Sequence, residues 1–191
     1  MSPTPHRIVI VTAPSGAGKT SITRHLLQQI PTLAFSVSAT TRPPRGREVD
    51  GRDYHFIGTD LFRERIREGA FLEWEMVYEG KYYGTLMSEV EGIWGSGRVP
   101  LLDIDVKGAL RVMADPRVQT LSLFIQPPSM EELERRLRSR GTDSEDSIRD
   151  RLAKAEYEMS HRDRFDRIVV NDQLDRACTE ADGLVRAFLA S

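Results

Sequence analysis

Residues 11–27 of this chain, VTAPSGAGKTSITRHLL, decide its fold. The apolar, β-branched stretch that leads into them predicts a buried strand over residues 7–12. After a loop of small residues, the spacing of Ile22 and Leu26 predicts a helix over residues 19–29. A strand, a loop of small residues and a helix in this order predict a phosphate-binding loop, because the backbone N–H groups of the loop and the positive end of the helix converge on an anion.

The loop follows the pattern G-x-x-x-x-G-K-[ST] with one departure. Its eight residues are Ala13, Pro14, Ser15, Gly16, Ala17, Gly18, Lys19 and Thr20. We expect Lys19 to reach the β- and γ-phosphates of a nucleoside triphosphate, and the Thr20 hydroxyl to bind Mg²⁺. Alanine resists positive φ, so the turn at Ala13, where the pattern has glycine, must be one that alanine can adopt. A chance glycine-rich turn is the alternative, and the loop alone leaves open a hydrolase, a kinase or a scaffold.

The composition is that of an ordinary globular protein and narrows the possible partners. The chain has 191 residues, of which 39% are hydrophobic and 29% charged, with a formal net charge of −2. This charge provides no basic field for nucleic acid, and no apolar run approaches the length of a membrane span. Cys178 has no second cysteine with which to form an internal disulfide. We therefore expect a cytoplasmic protein that binds neither nucleic acid nor membrane.

Strand signals and helix signals alternate along most of the chain. Strands are expected over residues 7–12, 33–38, 54–57, 71–85 (a hairpin turning at 79–81), 99–104, 120–125 and 168–170. Helices are expected over residues 19–29, 60–68, 88–94, a segment ending near 113, 129–141 and 142–161 (each opening on a capping box, at Ser129 and Thr142), and 174–189. This alternation predicts an α/β fold with a doubly wound parallel sheet. Segments 34–85 and 129–160 interrupt it and are expected to form lobes inserted at one edge of the sheet.

The segment SVSATTRPPRGREVDGRDYHF, residues 36–56, gives the first indication of a molecule that could accept a phosphoryl group from the triphosphate. Arg42 and Arg45 are three residues apart, and the two prolines between them favour polyproline II geometry, which has three residues per turn. Both guanidinium groups would then face the same way. Each can donate two parallel hydrogen bonds, so the pair suits a phosphate monoester. The alternative is a solvated, charged loop.

The second indication is Glu73, in the aromatic hairpin FLEWEMVYEGKYYGT of residues 71–85. Period two places its side chain on the same side as Phe71 and Glu75. A carboxylate in apolar surroundings needs a partner. Guanine offers two adjacent donors, N1–H and N2–H₂, which a carboxylate can accept together, whereas adenine presents a lone pair at N1. The alternative is an exposed strand residue.

Taken together, these motifs resemble the guanylate kinase family. The matching stretches are APSGAGKT, SVSATTRPPR with EVDGRDY, FLEW, YYGT, LLDIDVKG and RSRGT, in this order between residue 9 and about residue 172. No single stretch is decisive, but the set and its spacing are specific. The resemblance implies transfer of the γ-phosphoryl group of ATP to GMP, giving ADP and GDP, with Mg²⁺. It also implies one P-loop domain, residues 1–191, with a core of residues 1–33, 86–128 and 162–191, a GMP-binding lobe of residues 34–85 and a helical lid of residues 129–161.

Roles for individual residues follow from the same resemblance. The positions that hold the GMP phosphate are Arg42, Arg45, Tyr54 and Tyr83, and those around the guanine base are Ser38, Glu73, Thr85 and Asp105. The lid arginines that close over the triphosphate, and act with Lys19 in catalysis, are Arg136, Arg140 and Arg151. Asn171 matches the position that contacts adenine, where a turn-forming asparagine is the alternative. Asp103, at the end of a strand, is expected to bind Mg²⁺ through water or else to cap a loop.

Two other classes of protein stay open at this point. One is a guanylate-kinase-like binding module, which typically has a damaged phosphate loop and neighbouring interaction domains, whereas this chain keeps Lys19 and Thr20. The other is a kinase for AMP or a pyrimidine nucleotide, against which Ser38 and Glu73 argue. A monomer or a small homo-oligomer is expected.

Overall fold

The computed structural model describes residues 6–139 and 144–191. The strands are β1 (His6–Thr12), β2 (Leu33–Phe35), β3 (Ala39–Thr40), β4 (His55–Phe56), β5 (Phe71–Tyr78), β6 (Lys81–Leu86), β7 (Val99–Asp103), β8 (Val118–Gln126) and β9 (Arg167–Val170). The helices are α1 (Lys19–Gln29), α2 (Thr59–Arg67), α3 (Met87–Gly95), α4 (Val106–Met113), α5 (Met130–Ser139), α6 (Glu145–Met159) and α7 (Leu174–Ala190). A short 3-10 helix, Arg162–Arg164, precedes β9. Within the described ranges, no helix is long and apolar enough to cross a membrane.

The central sheet has five parallel strands in the order β2-β7-β1-β8-β9. β1 lies in the middle, with Val9 opposite Leu101 on one side and Leu121 on the other. These strands are apolar along their length because helices cover both faces. α1 and α7 pack on one face, and α3 and α4 on the other. The predicted doubly wound α/β fold is confirmed, and the carboxyl ends of β1, β7 and β9 lie at the edge where such folds bind ligands.

A second sheet, in the order β4-β3-β6-β5, contains the strands that interrupt the alternation. β5 and β6 form the predicted antiparallel hairpin, and Phe62 of α2 stacks on Phe71 at 4.4 Å between ring centroids. The strand predicted over residues 33–38 is confirmed only for its first half, since β2 ends at Phe35 and the next strand, β3, begins at Ala39 in the other sheet. The amide of Ser36 still donates a hydrogen bond to Leu101 of β7. The carbonyl of Ser38 accepts one from the amide of His55 in β4. The chain therefore passes from one sheet to the other between these two residues.

The helices α5 and α6 pack against each other at the same edge of the molecule. Leu133, Leu137 and Ala155 are fully buried between them. Ser129 caps α5 as predicted, because its Oγ accepts a hydrogen bond from the amide of Glu132 at 3.1 Å. This pair of helices is the lid-like unit that the sequence places between β8 and β9.

The start of α6 differs from the prediction. The helix begins at Glu145, and its cap is Ser144, whose Oγ accepts from the amide of Ser147 at 3.2 Å. The predicted cap at Thr142 is therefore wrong. Both residues offer a hydroxyl ahead of acidic side chains, so the capping pattern alone does not separate them. Thr142 and Gly141, the predicted end of the preceding helix, lie outside the described residues.

Candidate active site

The phosphate-binding loop joins β1 to α1. Gly16 and Gly18 have φ values of 97° and 99°, in the left-handed region that favours glycine. Over residues 6–139 and 144–191, positive φ occurs at glycines alone, so Ala13 has an ordinary backbone conformation, as the sequence required. The amide of Ala17 donates to the carbonyl of Pro14 at 3.0 Å and closes the turn.

Asn171, which follows β9, supports this loop from behind. Its side chain is 5% exposed, and Nδ2 donates to the carbonyl of Ala17 at 2.8 Å. A Cβ at Gly18 would lie 2.1 Å from that nitrogen, so the close approach requires glycine there. The carbonyl of Asn171 accepts from Arg136 at 3.0 Å. The side-chain amide is thus used to hold the loop, and its predicted contact with adenine stays a prediction.

Two clefts meet beside the loop. The loop cleft, of about 440 Å³, is lined by loop residues and by Asp105, Arg151, Lys154 and Glu158. The lobe cleft, of about 420 Å³, extends between the two sheets and is lined in part by Ser38, Arg45, Tyr54, Glu73, Tyr83, Asp103 and Asp105. Both volumes are typical of small-molecule sites. All residues predicted to bind the acceptor except Arg42 and Thr85 line the lobe cleft, and Ser15 and Lys19 line both clefts.

Lys19 forms an ion pair with Asp103, at the end of β7. Both side chains, together with Thr20, line a small cavity between the loop and the lobe. A hydroxyl and a carboxylate are oxygen donors that suit Mg²⁺, which keeps several waters and takes other ligands from substrate phosphates. In the part of the chain that the structure describes, no group of three or more His, Cys, Asp or Glu side chains could hold a metal ion by itself. The donor set therefore fits a magnesium ion that arrives with a nucleotide.

Glu73 is a buried carboxylate in the lobe cleft, with 6% exposure. Thr85 Oγ1 donates to its Oε1 at 2.7 Å, and Oε2 faces Gly108 of α4. A Cβ at Gly108 would lie 2.7 Å from Oε2, so glycine makes room for the carboxylate. Burial, with a smaller contribution from the charge of Asp105, raises the pKa of Glu73 to about 7. A carboxylate placed in this way can accept further hydrogen bonds from a ligand.

The face of β5 that carries Glu73 differs in part from the prediction. Glu73 and Glu75 both line the lobe cleft, as period two predicts. Phe71 does not share this side, since it packs against Phe62 in the core of the lobe. Between Phe71 and Glu73, two steps along β5 match one step along β6, which is a β-bulge. The bulge turns Phe71 inward and leaves Glu73 over the cleft.

Arg42 lies behind the lobe cleft rather than beside Arg45. It is 6% exposed and donates to both carboxylate oxygens of Glu48, at 2.6 and 2.7 Å. Its Nε donates to the hydroxyl of Tyr83 at 3.1 Å, and its guanidinium carbon lies 4.8 Å from the centre of the Tyr54 ring. The expectation that both guanidinium groups face the same phosphate stays a prediction. Glu48 and the aromatic rings draw Arg42 inward, and Arg45 alone of the pair lines the cleft.

Glu48 is a site residue that the sequence analysis missed. Besides Arg42, it accepts from the backbone amide of Arg45 at 2.7 Å, so one carboxylate fixes both ends of the Arg42–Arg45 turn. Its hydrogen bonds with Arg42 lower the pKa of Glu48 to about 2, so it is ionised at neutral pH. A signal was present, since a glutamate three residues after Arg45 has the spacing at which a carboxylate reaches back to a backbone amide.

Comparison with known proteins identifies the family. The family model described as guanylate kinase matches residues 5–188. The chain belongs to the guanylate kinase family. It is 52% identical to the guanylate kinase of Salinibacter ruber over 184 residues, which cover 96% of this chain and 97% of that protein. It is 46% identical to the guanylate kinase of Bacteroides fragilis over 191 residues, covering 97% and 94% of the two chains.

A solved structure supports the same assignment. The crystal structure of guanylate kinase from Anaplasma phagocytophilum superposes with a TM-score of 0.76 at 31% sequence identity. The match covers 96% of this chain and 86% of that one. The α/β fold of this chain, with its central parallel sheet, is thus that of a guanylate kinase.

Of the three lid arginines that the guanylate kinase resemblance selected, the structure describes Arg136 and Arg151, and these two have different surroundings. Arg151 lines the loop cleft, and its Nη1 lies 3.4 Å from Ser15 Oγ. Arg136 donates to Glu132, one turn earlier on α5, at 2.8 Å, and to the carbonyl of Asn171, which follows β9. Arg140 lies outside the described residues. Closure of these arginines over a triphosphate stays a prediction.

Glu158 is a second residue that the sequence analysis missed. It lies near the end of α6, is 4% exposed and lines the loop cleft. Burial raises its pKa to about 7, against the opposing charge of Lys154. No sequence pattern indicates this residue, because its burial results from packing between α6 and the core.

Proposed function

We propose that this chain is a guanylate kinase that phosphorylates GMP, and also dGMP, with ATP as phosphoryl donor and Mg²⁺ as cofactor. The observation that carries the proposal is the meeting of two clefts at Lys19. One contains the phosphate-binding loop, and the other contains a buried carboxylate, Glu73, and a cation, Arg45. The relatives named above support it, since they are similar over nearly their whole length.

In this proposal the lobe cleft binds GMP. The Glu73 carboxylate accepts N1–H and N2–H₂ of guanine, and Ser38, Thr85 and Asp105 complete the base site. Arg45, Tyr54 and Tyr83 hold the phosphate, with Arg42 behind them. None of these contacts with the base or the phosphate requires the 2′-hydroxyl of the ribose, so dGMP is expected to be an acceptor as well.

The loop cleft binds ATP in the same proposal. Backbone N–H groups of residues 13–20 surround the phosphates, and Lys19 leaves Asp103 for the β- and γ-phosphate oxygens. Thr20 and Asp103 would hold Mg²⁺, which when bound offsets the charge of those phosphates. Adenine would lie near Asn171. Arg136, Arg140 and Arg151 would close over the triphosphate when the lid moves.

Catalysis in this proposal consists of positioning and charge stabilisation. An oxygen of the GMP phosphate is already a competent nucleophile, so no general base is required. It forms a bond to the γ-phosphorus while the bond from that phosphorus to the β,γ-bridging oxygen breaks, and ADP leaves with the electron pair. Closure of the lobe and the lid excludes water, which would otherwise compete for the phosphoryl group.

The division of the chain is part of the proposal. Residues 34–85 would act as the GMP-binding lobe and residues 129–161 as the lid, both moving against a core of residues 1–33, 86–128 and 162–191. A cytoplasmic location, a monomeric or small homo-oligomeric state and the lack of nucleic-acid partners stay predictions.

The test is a coupled assay of ADP formation from ATP and Mg²⁺ with GMP, dGMP, AMP or UMP as acceptor. We expect turnover with GMP and dGMP, and a kcat/KM for AMP and UMP lower by roughly 10²-fold or more. ADP formation that does not depend on any acceptor would indicate a hydrolase. Equal activity with AMP would show that the acceptor has been assigned wrongly.

A further prediction concerns the acceptor phosphate. Glu48→Gln should raise the KM for GMP by roughly 10- to 100-fold, because Arg42 loses its charged bidentate partner and the Arg42–Arg45 turn loses an anchor. The KM for ATP should change little, since the loop cleft does not contact this turn. Steady-state kinetics with each substrate varied would measure both. Glu68→Gln, on an exposed residue outside the site, serves as control, and an equal rise in both KM values would contradict the assignment.

A further inference from the structure

Two cations lie where the loop cleft and the lobe cleft meet. Among the described residues, those that line both clefts are Ser15, Lys19, Asp105 and Lys154. Lys19 belongs to the phosphate-binding loop and has a role in the proposed function. Lys154 belongs to α6, on the opposite wall, and has none.

Glu158 lies beside Lys154 on α6. The two residues are one helical turn apart, on the same face of α6, with 3.9 Å between Lys154 Nζ and Glu158 Oε1. The Glu158 side chain is 5% exposed, whereas that of Lys154 is 44% exposed. A buried carboxylate requires a cation or a donor, so it restrains the ammonium group, which itself stays open to the cleft.

The other carboxylates of the two clefts have different partners. Glu75 pairs with Arg111 at 2.7 Å. Asp105 caps α4 by accepting from the amide of Gly108 at 2.9 Å, and Asp103 pairs with Lys19. In the described part of the chain, Lys154 is the cation ion-paired with Glu158. The pair is long for a salt bridge, so the ammonium group keeps the capacity to donate to a phosphate oxygen.

We propose that Lys154 is a further catalytic residue, which donates to the phosphoryl group as it passes from one cleft to the other, and that Glu158 is the residue that positions it. This inference rests on the proposed function. Transfer brings two anionic phosphates together, and a cation on each wall of the junction offsets their repulsion. Lys154 exchanges no proton in this step, in which the bond from the GMP oxygen to phosphorus forms as the bond from phosphorus to the bridging oxygen of ADP breaks.

A ligand that spans both clefts tests this assignment. The probe is adenosine and guanosine joined 5′ to 5′ through five phosphates, with affinities measured by calorimetry beside those of ADP and GMP alone. We expect Lys154→Met to weaken binding of the probe by roughly 10- to 100-fold and to lower kcat by a similar factor. Affinities for ADP and GMP alone should change less than about threefold, since neither alone places a phosphate at the junction. Lys154→Arg should keep most of the affinity for the probe.

Two further variants separate positioning from general charge. Glu158→Gln should weaken probe binding in the same selective way but by less, and combining it with Lys154→Met should add nothing to the effect of Lys154→Met alone. Lys107→Met is the control, because Lys107 lies beside Tyr157 in a neighbouring cavity and lines neither cleft. Its probe affinity should match that of the unaltered protein.

The outcomes are distinguishable from failure of the proposed function. If Lys154→Met binds the probe as tightly as the unaltered protein and keeps its kcat, this inference is wrong and the proposed function stands. If the effects of Lys154→Met and Glu158→Gln simply add, Glu158 does not act through Lys154. If the unaltered protein neither binds the probe nor forms ADP from ATP and GMP, the two clefts do not serve one reaction and both proposals are wrong.

Discussion

Replacement of Lys19 by alanine is expected to lower kcat by roughly three orders of magnitude while leaving GMP binding intact. Removal of one preorganised donor to a developing charge costs on the order of 10²- to 10³-fold, and Lys19 carries a full charge. In the proposed complex Lys19 has already left Asp103 for the phosphates, so the loss acts on the charge of the transferring phosphoryl group itself.

Calorimetry separates the two clefts in this variant. Affinity for GMP should stay within about threefold of the unaltered protein, because the base and phosphate contacts lie in the lobe. Affinity for ADP should fall, since Lys19 contacts its β-phosphate in the proposed complex. Arg24→Ala, on the exposed side of α1, is the control for effects on the helix. Loss of GMP affinity in a folded Lys19→Ala protein would show that the clefts have been assigned to the wrong substrates.

Much of the fold could be predicted because local pattern and tertiary structure agree. α1 spans Lys19–Gln29, the predicted range, since its apolar spacing, the loop before it and the buried strand all indicate the same geometry. Residues 33–38 show the limit of such reasoning. Their pattern indicates one continuous strand, but the strand that pairs with β7 ends at Phe35, and the chain crosses to the other sheet, where β3 begins at Ala39. Pairing partners are not encoded locally.

The candidate site likewise combines residues that local motifs indicate with contacts that depend on the tertiary structure. Motif residues such as Ser38, Arg45 and Tyr54 line the cleft that they were predicted to form. The missed contacts join segments distant in sequence or depend on packing, as in the hydrogen bond from Asn171 to Ala17 and the burial of Glu158. The bulge beside Glu73 is of this kind as well, because one extra residue changes the side of a strand that period two assigns.

Glu73→Gln is expected to reduce discrimination between GMP and AMP by roughly 10²-fold or more, chiefly by loss of activity on GMP. The substitution keeps the shape of the side chain but replaces one acceptor oxygen with a donor amide. That amide would face a donor of guanine and leave both groups unpaired in a buried site. A charge-assisted pair of this kind contributes about 2–4 kcal/mol. Values of kcat/KM for both acceptors, with melting curves to verify folding, measure the effect.

The raised pKa of Glu73 adds a pH dependence with a definite sign. Because burial raises it from 4.5 to about 7, the folded protein favours the protonated form, and ionisation costs stability as the pH rises through this window. The ionised form is the one that accepts both guanine donors, so bound GMP offsets that cost. We therefore expect kcat/KM for GMP to fall as the pH decreases through about 7. The second ionisation of the GMP phosphate, near pH 6, adds a second limb to the pH profile of kcat/KM.

Comparison of the pH profiles of the unaltered protein and Glu73→Gln separates the ionisation of Glu73 from that of the GMP phosphate. The limb due to the phosphate should remain in Glu73→Gln, whereas the limb near pH 7 should disappear, since glutamine does not titrate. Thr85→Val would remove the hydroxyl that donates to Glu73 at 2.7 Å, which leaves the carboxylate with fewer donors and should move that limb to higher pH. If Glu73→Gln keeps both the preference for GMP and the limb near pH 7, Glu73 is not the residue that recognises guanine. Recognition would then depend on Ser38 and Asp105, which line the same cleft, and an acceptor other than GMP would have to be considered.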